Sequence, residues 1–224
     1  MRTVHCEDAL AWLSVQSSLA GCSIVTSMPD ISEFPNYSLT EWKQWFVRTA
    51  ELVLSRCPDA GVTIFYQSDI KHGGVWVDKA YLCQKAAESA RSELLWHKIA
   101  CRAPAGTATF ARPSYSHILC FSKSLRITEA MQPAVDVIAS VGAKTWERGM
   151  GLDTCLTIAR FIKAHTNSHT VVNPFCGEGS MLAAANFEGL KAVGIERGPK
   201  RADKARRQRV RPDSKDWILD ETLE

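Results

Sequence analysis

Val171-Val172-Asn173-Pro174-Phe175-Cys176-Gly177-Glu178-Gly179-Ser180, then a helical stretch, then Val193-Gly194-Ile195-Glu196, is the most informative run of the chain. Two apolar, strand-like runs flank a tight Gly-x-Gly turn and a helix. The glycines let the backbone turn sharply and approach a ligand with no Cβ in the way. The helix from Ser180 to about Phe187 aims its free N–H groups at that ligand. Glu196 follows Gly179 by 17 residues, about where a βαβ unit delivers an acid to ribose hydroxyls. A carboxylate accepting from a 2′,3′-diol implies a nucleoside. The chain lacks a third glycine in dinucleotide spacing and a Gly-Lys-Ser/Thr run, which disfavours dinucleotides and nucleoside triphosphates. A Gly-x-Gly turn alone also suits a purely structural corner between strand and helix.

The rest of the chain sets the context. Its 224 residues, 46% of them hydrophobic, suffice for one domain over residues 1–224 with a proper core. No apolar run reaches the roughly 18 residues that span a bilayer, and Met1 to Asp8 resembles neither a signal nor a transit peptide. The expectation is an intracellular protein, cytoplasmic or nuclear, with no membrane partner. Eight cysteines sit mostly within apolar runs, without C-x-x-C or paired Cys/His spacing. They read as buried free thiols, and no metal site is expected. The net charge of +3 is uneven: residues 197–211 carry eight Lys/Arg against Asp203, a net +7 that leaves the remainder at −4. This segment reads as a basic helix over about 198–211. It is either a solvated helix or a phosphate-contacting one through Arg206 and Arg207.

Periodicity predicts a strand over 2–5 and a helix from Ala9 to Val15. A strand over Ser23–Thr26 and a loop from Ile31 to Tyr37 follow. Ser38-Leu39-Thr40-Glu41 is a capping box that opens a helix to about Arg56. Next come a strand over Val62–Tyr66, a loop over Gln67–Val77 and a helix from Lys79 to Arg91 capped by Asp78. Strands over Leu94–Cys101 and Tyr115–Phe121 form a hairpin-like pair around a long loop, Ala103–Pro113, of the kind that carries function. Residues 124–150 are ambiguous. Leu152–Ala164 is an amphipathic helix leading into the Gly turn. The alternation indicates a mostly parallel α/β sheet with one antiparallel pair.

The stretch around the Gly turn resembles the D-P-F-x-G-S-G-T … G-I-E signature of S-adenosylmethionine (SAM)-dependent methyltransferases, with Asn173 at the usual Asp. The order of the segments resembles the circularly permuted group of DNA amino-methyltransferases. In that group the catalytic segment comes early and the SAM loop late. His5-Cys6-Glu7-Asp8-Ala9-Leu10 resembles the G-D-A-L segment that flanks adenine. Thr26-Ser27-Met28-Pro29-Asp30 stands where that group carries [D/N/S]-P-P-[Y/F/W]. Arg112–His117 and Arg148–Leu152 resemble further segments.

The resemblance implies a class I, Rossmann-like fold with a seven-stranded sheet in permuted order. It implies SAM as cofactor, held by Asp8, Met150, Asn173, Pro174, Phe175, Cys176, Gly177, Gly179, Ser180 and Glu196, and methyl transfer at Ser27, Pro29 and Asp30. Two readings of Asp30 are open: a general base or hydrogen-bond acceptor, or a turn residue whose aromatic role passes to Phe34, Tyr37 or Tyr115. Tyr115, His117 and Lys71 are candidate substrate contacts. The length leaves no room for a target-recognition insert, so the substrate is expected to be nucleic acid, RNA before DNA, with a possible protein partner for recognition. The alternatives are a protein or small-molecule methyltransferase, and a SAM-binding subunit without activity.

Overall fold

The computed structural model describes residues 1–220 apart from 111, 130, 132, 133 and 215. In chain order its elements are β1 (Arg2–His5), α1 (Ala9–Ser14), β2 (Cys22–Thr26), α2 (Leu39–Arg56), β3 (Thr63–Gln67), β4 (Ile70–His72), β5 (Val75–Val77), α3 (Lys79–Ser89), β6 (Glu93–Cys101) and β7 (Tyr115–Ser122). There follow β8 (Val137–Ile138), α4 (Leu152–His165), β9 (Thr170–Asn173), α5 (Ser180–Phe187), β10 (Lys191–Ile195), α6 (Pro199–Arg207), β11 (Gln208–Arg211) and β12 (Asp216–Leu219).

One large sheet runs β1-β10-β9-β2-β3-β7-β6-β8. From β1 to β3 every neighbour is parallel, β7 is antiparallel to both β3 and β6, and β6 pairs in parallel with the short β8. The seven expected strands and the antiparallel pair are present, and β8 adds an eighth at the edge. Adjacent strand residues face opposite sides, as the two-residue repeat demands. Val25, Ile64, Cys120 and Val171 meet α4, α5 and α6 on one face; Ile24, Phe65, Leu119 and Val172 meet α1, α2 and α3 on the other.

The permutation closes physically through β1. Its Arg2–His5 run pairs with Ala192–Ile195 of β10. Arg2 Nη1 donates to the Ala205 carbonyl at 2.7 Å and the Gln208 carbonyl at 2.6 Å.

Three expectations change. The Gln67–Val77 loop contains the hairpin β4–β5, which pairs Ile70 with Val77 and His72 with Val75 across Gly73-Gly74. Both glycines have positive φ, 57° and 77°, the combination a two-residue hairpin turn requires. The helix from Lys79 stops at Ser89, because Arg91 takes a left-handed φ of 53°. The basic helix ends at Arg207 rather than 211: Gln208 and Val210 turn inward in a strand that pairs with β12.

Gly179 shows what the second glycine of the turn is for. Its φ is 83°, and a Cβ there would lie 2.8 Å from the Ala205 Cα of α6. Gly179→Ala is therefore expected to cost about 2 kcal/mol or more through left-handed strain and overpacking, read as a lowered urea midpoint with an unchanged slope. Gly177, at φ 55°, has only Trp146 near an added Cβ, at 3.7 Å, so Gly177→Ala should cost about 1 kcal/mol.

Candidate active site

The sheet reverses its winding between β9 and β2. From β9 the chain steps outward to β10, and from β2 it steps the opposite way to β3. In open α/β sheets the crevice beyond the strand ends at such a reversal is where ligands bind. A cleft lies there. It is lined by the segment after β1 (Asp8), the segment after β2 (Ser27–Asp30), the Gly turn after β9 (Asn173–Gly177, Ser180) and the end of β10 (Glu196), with Met150 from the loop before α4. The structure thus brings together every residue assigned to cofactor and catalysis except Gly179, which packs against α6.

Each of these groups is held by its neighbours. Asn173, 3% exposed, accepts from the Phe175 amide at 3.2 Å and so shapes the turn. Glu196, 8% exposed, accepts at Oε1 from the Gly198 amide (2.7 Å) and faces Arg201 Nε (3.3 Å). Arg201 in turn lies over the Trp146 ring at 5.9 Å. Asp8 Oδ1 caps α1, accepting from the Leu10 and Ala11 amides at 2.9 Å each. The Cys176 amide donates to the Ile195 carbonyl at 3.0 Å, which ties the turn to β10.

Burial, followed by the Glu196 charge, pushes the Cys176 thiol up to about 12. Cys57 is likewise pushed up to about 11 by burial. Both stay thiols at neutral pH, inert as nucleophiles or metal ligands. The expected outcome is that iodoacetamide at pH 8 labels exposed Cys6 in minutes and leaves Cys176 untouched until the chain is unfolded. Peptide mass mapping reads this.

In the catalytic segment Asp30 has partners that neither sequence reading named. The residue sits at the start of a short turn, Ile31–Glu33, without capping it. Its carboxylate instead pairs with Lys79 Nζ through Oδ1 and with Arg112 Nη2, at 3.3 Å, through Oδ2. Lys79 is 3% exposed and is the first residue of α3, where a positive charge opposes the helix dipole. Its ion pair with Asp30 offsets that. Met28, 3% exposed, anchors the segment in the core where the resembling group has proline. The Pro29 carbonyl accepts from Trp42 Nε1 at 3.4 Å. Phe34 returns to line the cleft, with its ring 4.4 Å from Trp45 between centroids. Tyr37 packs behind Phe34 at 5.2 Å.

Tyr115 and His117 are outside this cleft. His117, on β7, bonds Asp69 Oδ2 at 3.0 Å and His97 at 2.9 Å. Asp69 also accepts from the Lys79 amide (2.8 Å) and Trp76 Nε1 (3.2 Å). Burial pushes the Asp69 carboxyl up, but hydrogen bonds led by that from His117 outweigh it and leave it below the ordinary value. Asp69, Asp78 and His117 bring possible ligand atoms within 4.8 Å of one another. Both Asp69 oxygens and both His117 nitrogens are engaged with protein groups, and Asp78 Oδ1 accepts from the Tyr81 amide at 2.8 Å. Asp69 and His117, both buried, brace the start of α3 beneath Lys79. Tyr115 packs edge-on to His117 at 5.3 Å.

Arg206 and Arg207 also lie outside the cleft. Arg206 Nη2 donates to the Val4 carbonyl at 3.1 Å, and Arg207 pairs with Asp203. The cations that do line the cleft include Lys79, Arg102, Arg112, Lys144 and Arg201. Among the described residues Arg102 Nη1 is buried without a partner. Burial, then the charge of Arg102, lowers the pKa of the Lys144 amine. Sequence reasoning missed Lys79, Arg102, Lys144 and Trp146. Only Lys79 carried a signal, a lysine at a helix N-terminus.

No family model matches the chain, and no curated protein matches it. Solved structures do. TTHA0409 of Thermus thermophilus, an assigned DNA modification methylase complexed with S-adenosyl-L-methionine, superposes with TM-score 0.69 at 17% identity, over 92% of this chain and 91% of that one. The cytosine-N4-specific PvuII DNA methyltransferase gives 0.68 at 14% identity, over 92% and 85%. The M1.HpyAVI–SAM complex gives 0.63 at 15% identity, over 92% and 98%. None of the described helices is long and apolar enough to cross a membrane. At these identities the likeness carries architecture: the chain has the Rossmann-like α/β fold, in permuted order, that these three proteins share.

Proposed function

We propose that this chain, as one domain over residues 1–224, is a SAM-dependent methyltransferase that acts on nucleic acid, with DNA the first substrate to test. The observation that supports it most is the convergence, at the reversal between β9 and β2, of a glycine turn, a ribose-spaced carboxylate and the Ser27–Asp30 segment. Phosphate contacts pass from Arg206 and Arg207 to the cleft's own Arg102 and Lys144. Chain length no longer sets RNA before DNA. A protein assigned to DNA modification, TTHA0409, has 91% of its chain covered by this one and so carries no large additional insert.

The cleft fits SAM on its own geometry. Gly177 leaves the floor of the turn open, and Glu196 stands at the far end as an acceptor for ribose hydroxyls. Asp8 lines the same cleft, and Phe175 with Met150 forms apolar wall. SAM supplies a methyl group on a sulfonium, open to in-line displacement without a metal. Ser27 and Asp30 orient the acceptor: the hydroxyl and the carboxylate accept its N–H hydrogen bonds and aim its lone pair. Lys79 and Arg112 fix the carboxylate in turn. Phe34, backed by Trp45, offers the flat face for an extruded base that Asp30 cannot.

One observation favours a second reading. Each Asp30 oxygen already holds an ion pair, as suits a SAM-binding subunit without activity. The test is incubation with methyl-tritiated SAM and duplex DNA, single-stranded DNA or total RNA. Label in DNA supports the reading as stated. Label in RNA alone supports a methyltransferase and returns the substrate to RNA. SAM binding with no polymer labelled favours the inactive subunit.

A further inference from the structure

We infer that the β4–β5 hairpin and Phe110 form a stacking platform for the nucleic-acid strand that enters the cleft. This rests on the function proposed above. Trp76 is 43% exposed, Tyr81 59% and Phe110 90%, a concentration of bare aromatic surface on one side of the molecule. Lys71 Nζ sits between two of these rings, 5.5 Å from the Trp76 centroid and 5.0 Å from that of Phe110. Beyond Trp76 a groove between α2 and α3 is lined by Lys43, Arg48 and Lys85 as well as Tyr81, with Asp78 its lone acid.

Flat rings interleaved with cations, over a groove of net positive charge, are what a single strand needs. Bases stack on the rings and phosphodiesters follow the cations. A protein partner's apolar core would find the cations uncompensated.

The platform is joined to the reacting end of the cleft by short links. Trp76 Nε1 donates to Asp69, and Asp69 holds the Lys79 amide. The Lys79 side chain holds Asp30. On the other flank Phe110 is two residues from Arg112, which also holds Asp30. Ser68, at the foot of the hairpin, lines the cleft itself. A strand leaving the acceptor slot past Arg112 therefore meets Phe110, Trp76 and then the groove. In this chain the hairpin takes the place of a separate target-recognition insert.

The test is fluorescence anisotropy with a labelled single-stranded oligodeoxynucleotide, and with an oligoribonucleotide of the same sequence. Trp76→Ala and Phe110→Ala are each expected to weaken binding about tenfold, whereas Trp76→Phe, which keeps the ring, stays near wild type. Replacing Lys43, Arg48 and Lys85 by alanine should flatten the salt slope by about 2. SAM affinity should be unchanged in all of them, because these residues lie outside the cleft. Phe110 is almost wholly exposed, so its variant tests the platform even where Trp76→Ala fails to fold. Wild-type labelling of nucleic acid with unchanged binding by Trp76→Ala and Phe110→Ala overturns the platform and leaves the proposed function standing. Loss of a concentration-dependent dimer in these variants, with nucleic-acid binding intact, would show a protein interface and also overturn it. A wild-type chain that labels duplex DNA but binds neither oligonucleotide overturns the platform alone; one that also labels no polymer overturns both.

Discussion

Asp30→Ala is expected to lower methyl transfer by about 100-fold or more, the usual scale for misplacing a reacting group, while SAM binds as before. It should also destabilise the fold. Removing the carboxylate leaves Lys79, 3% exposed, without its counter-charge. Breaking a buried pair from one side costs about 3–5 kcal/mol. The two effects separate in the double variant Asp30→Ala with Lys79→Met. An apolar side chain of similar length removes the stranded charge, so urea stability recovers towards wild type, and activity does not. If activity recovers with stability, Asp30 acts as a brace and its place in the cleft is incidental. Arg112 contributes less to the stability term, because its side chain is 37% exposed and screened by water.

The second large effect concerns Glu196. Its replacement by alanine should weaken SAM by about 100-fold, from the loss of charge-assisted hydrogen bonds to the ribose of about 1.5–3 kcal/mol each. Glu196→Gln keeps one acceptor oxygen and should lose about tenfold. Glu196 also receives the Gly198 amide and Arg201, so part of the alanine effect comes from slackening the start of α6. Calorimetric titration of S-adenosylhomocysteine, which shares the ribose and lacks the methyl, should show the same losses. Equal affinities in wild type and Glu196→Ala would place the ribose elsewhere.

These outcomes depend on features that differ in how plainly the sequence shows them. The β9 turn and Glu196 stand out because the glycine pair and the strand-end acid fall at the spacing of a nucleoside-binding unit, and Asp8 because its segment resembles the one that flanks adenine. The permuted order is legible because the early Asp8 and Ser27–Asp30 segments and the late Gly turn resemble the permuted group, and β1 joins the β10 edge from Arg2 to His5. The Asp30–Lys79–Arg112 cluster is not legible. Its members are up to 82 residues apart, and Asp78 beside Lys79 already reads as a sufficient helix cap. The β4–β5 hairpin carried a usable signal, Gly73-Gly74 between short alternating runs, which its length of three residues per strand obscured. The C-terminal basic segment shows the limit of counting charges. Composition gives +7 over residues 197–211, but Arg206 and Arg207 turn back onto Val4 and Asp203, and direction is set by packing that composition does not contain.

A crystal structure of this chain with SAM would decide whether the cleft does what its residues suggest. The ribose is expected on Glu196, the methionine end over the Asn173–Gly177 turn and the methyl group directed at Ser27 and Asp30, with Lys79 and Arg112 still on the carboxylate. SAM bound elsewhere, or lying in the cleft with its methyl turned away from Asp30, would contradict the proposed mechanism.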